Sequence, residues 1–471
     1  MIVIGAGLAG LSSGVALAEA GFRVTLLEQR PFLGGRASSY TLPDGQQIDN
    51  CQHVTLGCCT NLDDFYRRVG ALGKIVRYGR LAFVDCKGHR AAMQASLLPP
   101  PFHLAPSLAF YPSLTWAEKR GIAQAMLSIA RRGGRNNDGD AAGRSMLDWL
   151  RAHGQSERAI SNFWGVVLVS ALNEEVARTE ARYGLDVFWK AFLSSRSGYV
   201  VGIPGLPLSE LYEGCRLTIE QRGGEVRCRA AVRGLEESDG SISSVGIDGG
   251  RQYSGDFYIL AVPHEVALEL LPERIVAREA VFRDIRNLQV SPITSVHFWF
   301  DREVMAEPFI TLLDRTTQWI FNKSRLSERP GEGGYLQSVI SASYALVERS
   351  RQEIIDLCLA ELQQVLPEAG RARLVKATVV KETSATFSPQ PGADRWRPSQ
   401  RTPLRNLLLA GDWTATGWPA TMEGAVRSGY LAAEAILSDC GEPKRLLKPD
   451  LPAEGFAGYW VRNGAADDAP R

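Results

Sequence analysis

Ile2-Val3-Ile4-Gly5-Ala6-Gly7-Leu8-Ala9-Gly10 opens the chain, and its three glycines stand between an apolar run and a longer periodic one. Ile2 to Ile4 reads as a strand, Leu8 to Ala20 as a helix and Arg23 to Leu27 as a second strand, a βαβ unit. Gly5, Gly7 and Gly10 give G-x-G-x-x-G at the strand-to-helix turn. Only glycine there allows the tight turn, the close approach of a pyrophosphate and tight helix packing. The helix amino end then faces the phosphates. Glycines also open ordinary turns, so the motif gains force from Glu28, 18 residues past Gly10 at the end of the second strand. A carboxylate there accepts hydrogen bonds from both hydroxyls of a free ribose and disfavours a 2′-phosphate. The apolar opening has no basic flank and is punctuated by glycines, which argues against a signal peptide.

The 471 residues suffice for two or three cores, and 45% hydrophobic with 22% charged residues is a globular balance, neither disordered nor polytopic. Lys plus Arg (53) nearly equals Asp plus Glu (52), so no general field draws nucleic acid. Eight cysteines without a CxxC pair predict neither a disulfide framework nor a metal site, and fit a reducing cytoplasm. Ala159 to Leu172 is too short to span a bilayer, and no transmembrane segment is expected.

From Cys86 to Arg196 the pattern turns helical, with Trp116 to Arg132 and Met146 to His153 as clear segments. Strand signals return at Glu225 to Leu235, Ser243 to Ile247 and Phe257 to Ala261. Ser295 to Phe300, Gln318 to Asn322, Tyr335 to Ser341 and Leu374 to Glu382 predict an antiparallel sheet. Leu407 to Ala410 reads as a last strand and Thr421 to Leu437 as a last helix, which returns the chain to its first domain. The expected class is α/β: a Rossmann-type domain from 1–85, 198–272 and 396–440, and an α+β substrate domain inserted as 86–197 and 273–395. The tail, 441–471, is rich in Pro and charge and is expected to be partly disordered.

Gly34-Gly35-Arg36 adds a second close backbone approach, with a guanidinium able to neutralise a pyrophosphate. With it the chain resembles the FAD-binding superfamily of monoamine oxidases, phytoene desaturases and protoporphyrinogen oxidases, which implies FAD and a glutathione-reductase-like fold. Leu407-Leu408-Leu409-Ala410-Gly411-Asp412, followed by Glu423-Gly424-Ala425, is similar to that superfamily's closing motif. The resemblance implies that Asp412 binds the ribityl chain and that the helix start faces the isoalloxazine, where it stabilises the charge of the reduced ring. Gly411 and Val232 are counted with these as cofactor contacts. The stretch near Trp418 lacks the cysteine that carries the flavin in covalently linked relatives, which implies non-covalent FAD.

Asp49-Asn50-Cys51-Gln52-His53-Val54 and Gly411 to Ala425 closely resemble the hydroxysqualene dehydroxylases, with Cys51 where that family has glycine. The resemblance implies reduction of hydroxysqualene to squalene, within squalene and hopanoid biosynthesis, and a polyisoprenoid substrate. A carotenoid desaturase or amine oxidase is the alternative, and a non-catalytic prenyl carrier the third reading. Gln52 and His53 are the candidate catalytic pair: His53 titrates near neutrality and can donate a proton to a leaving hydroxyl, with Gln52 orienting. A satisfied core histidine is the competing reading. Trp413 and Trp418 can wall the substrate pocket or pack a domain junction. Cys51, Cys58 and Cys59 are read as inert buried thiols.

Ala91 to Ala117 runs 27 residues without a charge and contains Pro99, Pro100, Pro101, Pro106 and Pro112, which exclude a spanning helix. Two readings stay open. Leu97, Leu98, Phe102, Leu104, Phe110 and Tyr111 dip into a headgroup layer beside Lys119, Arg120, Arg131 and Arg132, or the loop covers the substrate cavity. The expected location is cytoplasmic, with peripheral contact at the inner membrane face as one option.

Overall fold

The computed structural model describes residues 1–111, 113–133, 141–327 and 333–467. Pro112 and residues 468–471 of the tail lie outside the described residues. A five-stranded parallel sheet runs in the order Glu225–Arg227, Thr25–Leu27, Ile2–Ile4, Tyr258–Leu260, Leu407–Leu409. Its strands are short and apolar because both faces are covered. Helices Leu8–Glu19 and Met422–Asp439 pack against one another, with Gly429 so close that an added Cβ would lie 2.3 Å from the Ala9 carbonyl. Strand order reverses on the two sides of Ile2–Ile4, the switch point at which open α/β sheets bind ligands.

The second large sheet has seven strands, in the order Leu374–Phe387, Val290–Phe300, Gly334–Ser341, Trp319–Asn322, Phe309–Leu312, Arg80–Val84, Arg90–Gln94. Val296, Phe298, Leu336 and Ile340 point to one face, where helix Arg351–Val365 closes a core with Ile354, Cys358 and Leu362. Side chains alternate, so Ile293, Trp319, Phe321, Val339 and Ser341 face the other side. That side is the wall of a cavity.

The differences from the sequence reading have physical causes. Glu225 to Leu235 is two strands in two sheets, because Arg229 takes a left-handed conformation (φ 56°) and the Ala230 amide donates to the Glu28 carbonyl at 2.8 Å. The turn carries Ala230 and Val232 into the cavity wall. The hairpin Arg80–Val84 and Arg90–Gln94 belongs to the substrate sheet, although its first strand falls inside the expected 1–85 segment. The described part of the tail is anchored rather than loose. Asn61 exchanges side-chain hydrogen bonds with the Lys448 backbone, Thr60 donates to the Pro449 carbonyl, and helix Gly455–Asp467 follows. Tyr111, which one of the two readings set against lipid, is buried with its hydroxyl on the Asn162 carbonyl at 3.0 Å. Leu104 is only partly exposed.

Candidate functional site

A cavity of about 390 Å³ opens at the carboxyl edge of the parallel sheet and runs along the face of the seven-stranded one that carries Trp319, Phe321 and Val339. Gly5, Gly7, Glu28, Gly35, Arg36, Val232, Gly411, Asp412 and Ala425 line it, as do Gln52 and His53. Two turns form the cradle. Gly5 has φ +97° and a Cβ there would lie 2.4 Å from the Ala261 carbonyl, so only glycine fits. A Cβ on Gly7 would meet nothing within 4 Å, which leaves its backbone open to a phosphate. Helix Leu8–Glu19 starts there without a side-chain cap, so its first amides are free to meet an anion. Glu28 is pre-oriented, since its carboxylate accepts from the Ala6 amide at 2.7 Å and the Arg30 amide at 2.8 Å. Arg36 donates to Asp412 at 2.7 Å, and thereby joins two stretches of sequence 376 residues apart. These residues fit a dinucleotide with free ribose hydroxyls.

Three expected contacts do not line the cavity. Gly10 is pressed on the first turn, its Cβ position 2.0 Å from the Gly5 carbonyl. Glu423 is fully buried, and its carboxylate accepts from the Asn61 side chain (2.8 Å), the Asn61 amide (3.2 Å) and the Leu62 amide (2.8 Å). It caps helix Thr60–Arg68 and so fixes the segment that follows the Gln52–His53 loop. Gly424 donates its amide to Thr421 Oγ1 at 3.0 Å as part of the helix cap.

Beyond Arg36 the cavity changes character. Asn50 Nδ2 donates to the Arg36 carbonyl (3.1 Å) and to Glu382 (3.2 Å), which ties the 50–54 loop to the cradle. Lys323 Nζ donates to Asp49 Oδ2 at 2.7 Å and to Gln52 Oε1 at 2.8 Å. Burial opposes ionisation of Asp49, yet the Lys323 ammonium holds its carboxyl below the usual range. Burial lowers the His53 pKa below 6.5, and its Nδ1 donates to the Cys51 carbonyl at 3.0 Å. The neutral ring therefore presents Nε2 as an acceptor, and His53 donates from Nε2 only once protonated. Burial pushes the Cys51 thiol up to about 12, so it stays protonated, as expected of an inert cysteine. Behind the loop His297 Nδ1 pairs with the Tyr335 hydroxyl at 2.8 Å, and burial pushes its pKa down to about 3.

The apolar wall past this cluster is Ala171, Val201, Ile293, Trp319, Phe321 and Val339. Trp413 and Trp418 do not line it. Trp413 donates to the Val262 carbonyl at 3.0 Å, inside the core of the parallel sheet, and Trp418 lies under Lys190 and Arg427. Sequence reasoning missed Trp319, Phe321, Lys323 and Glu382 as site residues. Lys323 stands 271 residues from Gln52, and only the folded sheet joins them.

At 28% identity, over 93% of this chain and 78% of its relative, the chain is similar to the 15-cis-phytoene desaturase of Solanum lycopersicum. It is 27% identical to a probable zeta-carotene desaturase of Synechococcus elongatus, over 92% of this chain and 98% of that one. Among solved structures, an oxidoreductase from Methanosarcina mazei matches with TM-score 0.71 at 18% identity, covering 93% of this chain and 99% of that chain. Putrescine oxidase matches with TM-score 0.72 at 17% identity, covering 93% and 98%. Both structures share the fold. The family model for flavin containing amine oxidoreductases matches residues 8–437, so the chain belongs to that family, an FAD-dependent oxidoreductase on the amine oxidase fold.

Proposed function

We propose that this chain reduces hydroxysqualene to squalene, by reductive loss of an allylic hydroxyl. The supporting observation is the meeting of one proton-capable cluster, Gln52, His53, Lys323 and Asp49, with an apolar wall of Ile293, Trp319, Phe321 and Val339. A hydrocarbon has no need of the cluster, whereas a hydroxyl leaves only when protonated or strongly hydrogen-bonded. Reduced FAD, bound in the cradle, supplies the hydrogen and electron pair that replace the hydroxyl. Arg36 holds the phosphates, Glu28 the ribose and Asp412 the ribityl chain. Protonated His53 donates to the departing hydroxyl, and Gln52, held by Lys323, orients it. The apolar wall keeps the carbon chain extended and excludes water from the delocalised cation. Substrate and product both partition into lipid, so the reading sets the chain in the cytoplasm against the inner membrane face, with no nucleic acid partner.

A second reading, carotenoid desaturation, is favoured by the activities of the relatives. Anaerobic incubation of photoreduced enzyme with hydroxysqualene separates the two. Squalene formed in step with flavin reoxidation is the expected result. Reduction of the oxidised enzyme by a carotenoid, with no squalene from the reduced enzyme, would replace the first reading by the second.

A further inference from the structure

Among the described residues, large exposed apolar side chains gather where the uncharged run 91–117 meets the C-terminal helix. Leu97 is 96% exposed, Phe110 85%, Trp116 73%, Tyr459 58% and Phe456 52%. Isolated exposed apolar residues are ordinary, but a gathered strip is not. The strip is built from both segments. The Phe102 ring lies 6.0 Å from Phe456 and 6.3 Å from Trp460, and the Ala457 amide donates to the Pro100 carbonyl. At the other end Lys119 Nζ bonds the Ala109 carbonyl and sits 4.8 Å over the Trp116 ring.

We infer that this strip is a docking face for an anionic lipid surface, with the C-terminal helix as its second anchor. The inference rests on the lipid-soluble substrate proposed above. Charge supports a bilayer as the occupant. The run 91–117 has no charged residue, Lys119 and Arg120 stand in the first turns of the helix that begins at Trp116, and Arg462 stands three residues past Tyr459 on the C-terminal helix. Arg196 donates to the Leu98 carbonyl, which sets its guanidinium beside the loop tip. The nearby acids are engaged: Glu118 in the Thr115 capping box, Glu454 by Ser195 and the Arg196 amide. Aromatic tips with basic margins are the pattern of interfacial anchoring. Among the described residues no helix is long and apolar enough to cross a membrane, so contact is with one leaflet. The underside of the loop leads inward. The His103 ring lies 6.3 Å from that of Tyr199, tilted by 47°; the Tyr199 hydroxyl donates to the Gly79 carbonyl at 2.7 Å, and Val201 two residues on lines the cavity.

The test uses the full-length holoprotein with vesicles of phosphatidylcholine, alone or mixed with phosphatidylglycerol, at low and high salt. Co-sedimentation with the anionic vesicles, weakened by salt, is expected. Phe110→Glu, Trp116→Glu and Tyr459→Glu should each weaken it about ten-fold or more, with flavin content unchanged because these side chains are exposed. Wild type that fails to sediment with either vesicle overturns the inference. So do variants that sediment like wild type, or a wild-type dimer that Trp116→Glu converts to monomer, since a second copy would then cover the strip. Turnover of detergent-dispersed hydroxysqualene keeps the two readings apart. Variants that lose vesicles but keep this turnover support the docking face, and wild type that binds vesicles without turnover removes the proposed reaction alone.

Discussion

Arg36 and Asp412 form one ion pair across the two ends of the cradle, so their substitutions should not behave independently. Arg36→Ala leaves the Asp412 carboxylate, 8% exposed, without its cation and facing the cofactor phosphates. Asp412→Ala leaves Arg36 cationic, 31% exposed and free to meet those phosphates. A charged hydrogen bond contributes about 1.5–3 kcal/mol. Arg36→Ala should therefore weaken FAD binding by roughly ten- to 150-fold. Asp412→Ala should weaken it less, since no like charge is stranded beside the phosphates. The double variant should bind better than the sum of the two losses predicts, by about 0.5–3 kcal/mol of coupling. Titration of apoprotein with FAD, followed by quenching of flavin fluorescence, measures all four constants. Strictly additive losses, or a larger loss in Asp412→Ala than in Arg36→Ala, would refute the reasoning.

Glu423→Ala strands the Asn61 and Leu62 amides at the start of helix Thr60–Arg68 and should cost about 2–3 kcal/mol of stability, with Glu423→Gln milder. An unchanged thermal midpoint with flavin lost would instead make Glu423 a direct cofactor ligand. Because the His53 pKa lies below 6.5, turnover by reduced enzyme should rise as pH falls from neutrality through that pKa. His53→Ala should flatten the profile and lower turnover by about 100-fold or more with FAD retained, and a flat wild-type profile would remove the histidine as donor. His297 is held neutral with a folded pKa of about 3 against 6.5 unfolded, so the unfolded chain takes up its proton first. Stability should fall between about pH 6.5 and 3 by up to about 1.4 kcal/mol per pH unit. Urea unfolding of His297→Gln, which keeps a hydrogen bond to Tyr335, should show a shallower slope than wild type; equal slopes would acquit the histidine.

The opening strand, helix and Glu28 were legible because local signals coincided there: apolar period, glycines required by close contact, and an acid at the strand end. Helix Trp116–Arg132 was legible to the residue from its helical pattern, and the structure shows Thr115 and Glu118 closing a capping box around its start. Less legible was the break at Arg229, where a tertiary bond to Glu28 overrides a continuous β-like run. The cradle residues were readable as motifs, but a motif cannot say which way a side chain turns. Glu423 sits one residue into a helix whose start lines the cavity, yet its carboxylate serves a neighbouring helix. Lys323 and the Trp319–Phe321 wall carry no local signature, because their role comes from strand neighbours scattered between 290 and 387.

The parallel sheet that holds the cradle also sets the order in which the chain can be made. Ile2–Ile4 pairs with Tyr258–Leu260, which pairs with Leu407–Leu409, so the sheet has an open edge until residue 409 has left the ribosome. At about 5–20 residues per second, that is roughly 20–80 s of synthesis with an apolar strand edge unpaired. Parallel pairing over such separations is slow, and the uncovered edge invites association with other nascent chains. Expression yield should therefore depend on chaperone supply and temperature during translation more than on the stability of the finished protein.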